Sequence, residues 1–250
     1  MSLRAFLVSA LAAVAVALPT EGTSPAEGAL VTRDVVNYET IVGFRETVPK
    51  TQLGKLYKSY RPYLDVVNGC LPYPAVDAEG NTSGGVDITL DNSTDCSNSK
   101  GQVYVRGHTT ENATAIMYAW YMPKDSPSAG MGHRHEWEGV IVWLSSPDST
   151  AKKNILAVCP SGHGGWDCST DGYSLSGSHS LIKYQSIIWP INHQCFLTDV
   201  KGKKQPLIAW ESLPEVAREA LETTDFGAAN VPFNDRTFLN NLAKATFESV

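Results

Sequence analysis

The densest concentration of potential chemistry in this chain is Gly132-His133-Arg134-His135-Glu136-Trp137-Glu138, with Asp125 shortly upstream in Pro123-Lys124-Asp125-Ser126-Pro127. Two imidazoles and two carboxylates fall within six residues, and Asp125 adds a third carboxylate. Such a group is a metal-site candidate. A carboxylate-rich set with one imidazole suits a hard cation, Mg²⁺ or Ca²⁺, better than Zn²⁺. From spacing alone the same residues equally fit a solvated charged turn ahead of a strand over Trp137–Leu144. Geometry sharpens the question. In a regular strand His133, His135 and Trp137 share one face, and Glu136 and Glu138 share the other. A site using both His133 and the glutamates therefore needs a bend or bulge, and Gly130 and Gly132 could supply the unusual backbone just before it.

Enzyme signatures are missing. There is no His-Glu-x-x-His zinc motif and no Gly-x-Ser-x-Gly elbow. The His133-x-His135 spacing is that of a cupin, but Glu138 follows too closely and no second cupin motif appears. The segment Ser161-Gly162-His163-Gly164-Gly165-Trp166-Asp167 reads as a loop that Cys159 and Cys168 could close by a short disulfide, with His163 a hydrogen-bonded loop histidine.

The elements that must position these groups are mostly strands. Runs rich in Val, Ile, Tyr and Trp, separated by turn residues, cover Gln102–Arg106, Ala113–Met122, Trp137–Leu144, Asn154–Cys159, Ser180–Trp189 and Pro206–Trp210. Several are apolar on both faces, as inner strands are. Two helices follow. Ser212-Leu213-Pro214-Glu215 matches a capping box, ahead of a stripe of Val216, Ala217, Ala220 and Leu221, with Gly227 beyond. A second helix is expected after Asn234, with Phe238, Leu239 and Leu242 inward. Strands in the middle and helices gathered elsewhere give an α+β protein built on a β-sandwich.

The chain has 250 residues, enough for one large domain, and its 42% hydrophobic and 18% charged content excludes bulk disorder. Arg4 followed by the apolar run Ala5–Leu18, with Ala15-Val16-Ala17 as a cleavage site, predicts a signal peptide over 1–17 and hence a secreted, extracellular protein. Residues 18–34 read as a flexible N-terminal arm, and 35–250 as a single domain. The net charge is −6, and becomes −7 once Arg4 leaves with the signal. That balance argues against nucleic acid as a partner and against simple adsorption to anionic lipid. Secretion permits disulfides, and five cysteines leave at least one thiol over. Three glycosylation sequons begin at Asn81, Asn92 and Asn112, and Cys70 with Cys96 would close a loop around the first two.

The stretch Ala115–Pro127, continuing through Gly132–Glu138, resembles the central region of the necrosis- and ethylene-inducing-like proteins, whose hallmark heptapeptide is Gly-His-Arg-His-Asp-Trp-Glu. The resemblance runs from about Val35 to the end and takes in Leu207-Ile208-Ala209-Trp210-Glu211 and Asp225–Phe233. It implies a central β-sandwich flanked by helices, similar to actinoporins and some fungal lectins. It also implies a non-enzymatic, secreted phytotoxic cytolysin. Such a protein binds glycosylated inositol phosphoryl ceramide sphingolipids of plant plasma membranes with the help of a divalent cation, causing membrane damage, necrosis and immune elicitation.

The family's metal residues map onto Asp125, His133, Glu136 and Glu138, with Arg134, His135 and Trp137 as supporting members of the motif. Glu136 departs from the usual Asp and is longer by one methylene. Ser186–His193 resembles the family's sugar-reading loop. There Trp189 would stack on apolar sugar faces, and Asn192 and His193 would approach the terminal sugar. Asn192 stands where related members are expected to carry Asp. The simplest family pattern has the equivalent of a Cys70–Cys96 disulfide. A Cys159–Cys168 pair would be an addition, with Cys195 the odd thiol. The Ala115–Glu138 stretch also resembles the peptide pattern read by a leucine-rich-repeat immune receptor in some plants. The readings that compete are a non-lytic sugar-binding or elicitor member of the same fold, and a secreted metal-dependent hydrolase.

Overall fold

A computed structural model describes residues 33–89, 96–186 and 192–247. The signal segment, most of the N-terminal arm, Asn92 and Trp189 lie outside the described residues. In chain order the strands are β1 (Val35–Val36), β2 (Tyr63–Val66), β3 (Thr82–Ser83), β4 (Val103–Thr109), β5 (Thr114–Asp125), β6 (His133–Leu144), β7 (Ile155–Gly162), β8 (Gly165–Trp166), β9 (Leu175–Ser176), β10 (His179–Gln185), β11 (Gln194–Leu197) and β12 (Leu207–Ala209). The α-helices are α1 (Gln52–Ser59), α2 (Glu215–Thr223) and α3 (Phe238–Lys244).

Two sheets make the core. The larger has the order β12-β4-β5-β6-β7-β8, and the smaller has β11-β10-β2 with β9 paired to β10. They meet where β11 packs on β7 and β6. Strand β5 is the centre of the larger sheet, and all twelve of its residues are buried. Its two faces do different work. On one face, Tyr118 donates to the Tyr57 carbonyl of α1 at 2.9 Å, and Trp120 Nε1 donates to Gln205 Oε1 at 2.9 Å. On the other, Tyr121 joins an aromatic cluster with Trp137 and Phe226, which Tyr104 and Phe233 extend. The architecture is thus α+β, a multi-stranded β core flanked by helices.

Several sequence expectations change at this level. Strand β6 begins at His133, not Trp137, so His133–Glu138 of the heptapeptide lie inside a strand rather than in a turn before it. The capping box at Ser212 does not form. Ser212 ends a 3₁₀ turn over Trp210–Ser212, Leu213 is extended, and α2 is entered from Pro214 with no side-chain cap. Ala217, Ala220 and Leu221 are buried, as the stripe requires. In α3, Phe238 and Leu242 point inward because they are four apart, whereas Leu239, one position round, is 57% exposed. Helix α1 has no counterpart in the sequence reading. Thr51 caps it, accepting from the Gly54 amide at 3.3 Å, and Leu56 and Tyr57 anchor it. Arg33 and Asp34, at the end of the expected flexible arm, are tied down. Arg33 pairs with Glu219, and the Asp34 carbonyl accepts from the Thr82 amide at 2.9 Å.

Candidate functional site: an acidic cavity between the sheets

The β5–β6 ladder pairs Trp120 with Glu138, Met122 with Glu136, and Asp125 with His133. Side chains opposite one another share a face. An unbroken pleat would therefore leave Glu136 and Glu138 on the Trp120 side, and Asp125 and His133 on the Tyr121 side. The structure breaks the pleat at one residue. His135 has φ +64°, the left-handed region that a non-glycine residue enters at a cost of about 1–3 kcal/mol. Its ring is held on the Tyr121 side, with Nδ1 2.6 Å from the Tyr121 hydroxyl and the ring edge-on to Phe226. Upstream, Gly132 has φ +88°, and a Cβ there would fall 2.0 Å from the Asp125 carbonyl oxygen.

As a result Asp125, His133 and Glu136 converge, with one potential ligand atom from each lying within 4.8 Å of the others. His133 Nε2 is 3.4 Å from Glu136 Oε2 and 3.8 Å from Asp125 Oδ2, while its Nδ1 bonds the His135 carbonyl at 2.7 Å. Glu138 lines the same cavity, with its Oε2 accepting from Ser161 Oγ. The cavity measures about 370 Å³.

His193 sits behind the cluster. It is buried, its backbone N–H donates to the Asp125 carboxylate at 3.1 and 3.2 Å, and its Nδ1 donates to Asp125 Oδ1 at 2.6 Å. Its ring stacks on Tyr184 at 4.9 Å, and Gly69 leaves room for it where a Cβ would come within 2.6 Å. Asn192 also lines the cavity. Arg134 points to solvent, bonding the Gly84 carbonyl at 3.1 Å, and Trp137 belongs to the aromatic cluster. The sequence reading did not find Ser161, Asn230 or Asn241 as cavity residues. Nothing in their spacing marks them, because Ser161 comes from β7 and the two asparagines come from the C-terminal segment.

Three buried carboxylates disturb one another. Burial, then the charges of Glu138 and Asp125, push the Glu136 carboxyl well above the usual range. Burial, opposed by the Ser161 hydrogen bond and reinforced by Asp125, pushes Glu138 up to about 8. Burial, then Arg134, holds His135 down at about 4, so its ring is neutral at physiological pH. A divalent cation among these oxygens would offset their repulsion, and the donor set fits one.

The cysteines bracket this region. Cys159 is bonded to Cys168, closing the β7–β8 turn that carries His163 and Trp166 to the cavity rim; Cys70 is bonded to Cys96, and Cys195 is a buried free thiol. Of the described sequons, Asn112 is exposed, while Asn81 Nδ2 is engaged by Asp77 at 3.0 Å.

Residues 54–245 match the family model described as necrosis inducing protein (NPP1). The chain belongs to this family. It is 43% identical over 224 residues to NLP effector protein 10 of Phytophthora capsici, covering 88% of this chain and 95% of that protein. Among solved structures it is similar to NLPPya in complex with mannosamine, with TM-score 0.79 and 46% identity over 86% of this chain and all of the other. It is also similar to non-toxic HaNLP3, with TM-score 0.80 and 42% identity over 84% of this chain and all of the other. Membership places the chain with necrosis-inducing effector proteins rather than with enzymes. The α+β architecture is the toxin fold of these neighbours.

Proposed function

We propose that this chain is a secreted cytolysin that binds the glycan head group of plant plasma-membrane sphingolipids, of the glycosylated inositol phosphoryl ceramide class, through a bound Mg²⁺ or Ca²⁺. The observation that carries this reading is the convergence of Asp125, His133 and Glu136 in a cavity that Glu138 also lines. The mannosamine complex of a similar protein supports a sugar as the second ligand.

Asp125, His133, Glu136 and Glu138 would hold the cation, which supplies a positive centre for sugar or head-group oxygens. His193, which makes three hydrogen bonds to the Asp125 carboxylate, would hold that carboxylate toward the cation. Asn192 lines the cavity and can donate and accept toward hydroxyls. Trp189, on the family resemblance, would add a stacking face. Among the described residues no helix is long and apolar enough to cross a membrane.

Dye leakage from vesicles containing these sphingolipids, with and without a chelator, tests the reading. Leakage that stops with chelator, with plain phosphatidylcholine vesicles unaffected, is expected. Equal lysis of plain vesicles refutes head-group selectivity. Glu138→Ala should lower cation affinity, whereas Trp189→Ala should leave cation binding intact and weaken vesicle binding.

One observation favours a second reading, a non-lytic member of the fold: the structure is as close to non-toxic HaNLP3 as to NLPPya. On that reading sugar binding persists without leakage. Immune recognition by a plant leucine-rich-repeat receptor would be separate from both. The Ala115–Asp125 part of the recognised pattern is buried in β5, so a receptor reading it would meet an unfolded or processed chain. A synthetic Ala115–Glu138 peptide should trigger responses without lysis, and its silence in plants that answer related peptides would argue against this role.

A further inference from the structure

A second concentration of like charge lies where the segment ahead of α1 meets the stretch leading into β4 and the β11–β12 connection. A cleft of about 770 Å³ opens there, bordered by four cations, Arg45, Arg61, Lys100 and Lys204, against two carboxylates, Glu39 and Glu46. Glu46 is already engaged twice, by Arg61 Nη1 and by Lys58 Nζ at 3.7 Å. Arg45 and Lys100 are exposed and make no ion pair among the described residues. The cleft is therefore positive on a chain whose net charge is −6.

Its inner end is built rather than accidental. His179 donates from Nδ1 to the Arg61 carbonyl at 2.8 Å and accepts at Nε2 from Lys204 Nζ at 2.9 Å. The Lys204 ammonium also lies 4.5 Å from the Tyr63 ring centre, and Lys201 lies 4.6 Å from the same ring. Arg61 Nε is buried with no hydrogen-bond partner. Arg61 Nη1 is already engaged by Glu46 and the Gln205 carbonyl, so the cations left to meet an incoming oxyanion are Arg45, Lys100 and Lys204. Partial burial, opposed by Tyr63 and reinforced by the nearby Arg61 and Lys201 charges, holds the Lys204 ammonium below its usual range. The rest of the lining sets an apolar patch of Ile41, Phe44, Tyr73 and Pro74 beside the polar Asn98, Ser99, Gln102 and Gln205. A small inorganic anion would leave that surface uncovered.

We infer that this cleft binds an amphiphilic oxyanion, a phosphate or sulfate head group seated among Arg45, Lys100 and Lys204 with its apolar body against Phe44, Tyr73 and Pro74. The site shares no residue with the acidic cavity and does not depend on the cation there.

Dodecyl phosphate below its micelle concentration, titrated into the mature chain by calorimetry, tests this. Saturable binding is expected. It should weaken roughly tenfold in Arg45→Gln/Lys204→Gln and weaken further in high salt, with inorganic phosphate competing only at higher concentration. Lys100→Gln, an exposed change, should weaken binding less and guards against misfolding in the double variant. Asp125→Asn should leave dodecyl phosphate binding unchanged, which separates this cleft from the acidic cavity. Absence of saturable binding, equal affinity for neutral dodecyl maltoside, or indifference to both cation variants would overturn the inference. Co-sedimentation with phosphatidic acid vesicles would assign the oxyanion to a bilayer lipid. Monomer binding without sedimentation would assign it to a free amphiphile.

Discussion

The acidic cavity and the cationic cleft each gather like charges, but by opposite means. In the cavity the groups are short, buried side chains forced together by one left-handed residue, His135, inside a paired strand. Asp125 is fully buried and Glu138 nearly so, and neither can turn away from its neighbours. In the cleft the cations sit on long side chains, and Arg45 and Lys100 stand in water, where screening blunts repulsion. The lesson is that charge crowding costs most where the backbone dictates it. A ligand should therefore change the stability of the protein far more through the cavity than through the cleft.

The largest effect expected is from Asp125→Ala. It removes a proposed ligand and leaves the buried His193 Nδ1 without its carboxylate partner, costing about 1–3 kcal/mol of stability in addition to a large loss of cation affinity. Calorimetry and thermal melts together check this. Retained cation affinity would break the assignment of the cavity.

Next comes pH. Glu138, at about 8 against an ordinary 4.5, favours the ion-free fold below pH 4.5 and loses that contribution as pH rises through about 8. A cation must displace the proton, so the rise in Tm produced by Ca²⁺ or Mg²⁺ should grow from pH 5 to pH 8. His135 runs the other way. Its pKa of about 4 against 6.5 gives a contribution present above pH 6.5 and lost as pH falls through about 4. A cation-dependent Tm shift that is flat across this range would contradict the proposed competition with protons.

A smaller effect tests the backbone break. His135→Ala keeps the left-handed residue and loses the Tyr121 bond, so it should destabilise by about 1–3 kcal/mol. His135→Gly relieves the strain and should cost less. Denaturant melts rank the two, and the reverse order would remove His135 as the strained pivot. Smaller still is Ser161→Ala, which frees Glu138 Oε2 and should weaken cation binding by a few-fold. The smallest is Lys204→Gln, for which cation binding should be unchanged.

Much of this was legible in the residues. The buried run of β5 declared itself through Ala115–Met122, and the heptapeptide with Asp125 pointed to a cluster that could hold a metal ion. Its parity conflict between His133 and the glutamates correctly announced an irregularity. The flanking glycines drew attention, yet the decisive break fell on His135, because a tertiary contact to Tyr121 holds that ring where local preference would not. Leu239 and Ser212 misled for the same reason. A stripe and a cap are local patterns, and the packing of α3 and the 3₁₀ turn at Trp210–Ser212 decide them from outside. Helix α1 was illegible because its eight residues are too few to show a periodicity, and the cationic cleft because its residues are spread from Glu39 to Lys204.

The Cys159–Cys168 bond has a consequence for when the molecule becomes complete. It clasps the turn that brings Trp166 to the cavity, just after Ser161, which holds Glu138. In a reducing interior that clasp is open, and the wall it supports is free to fray. A chain still inside the cell that makes it would then carry an unfinished cavity, and oxidation on the export route would supply the last fastening.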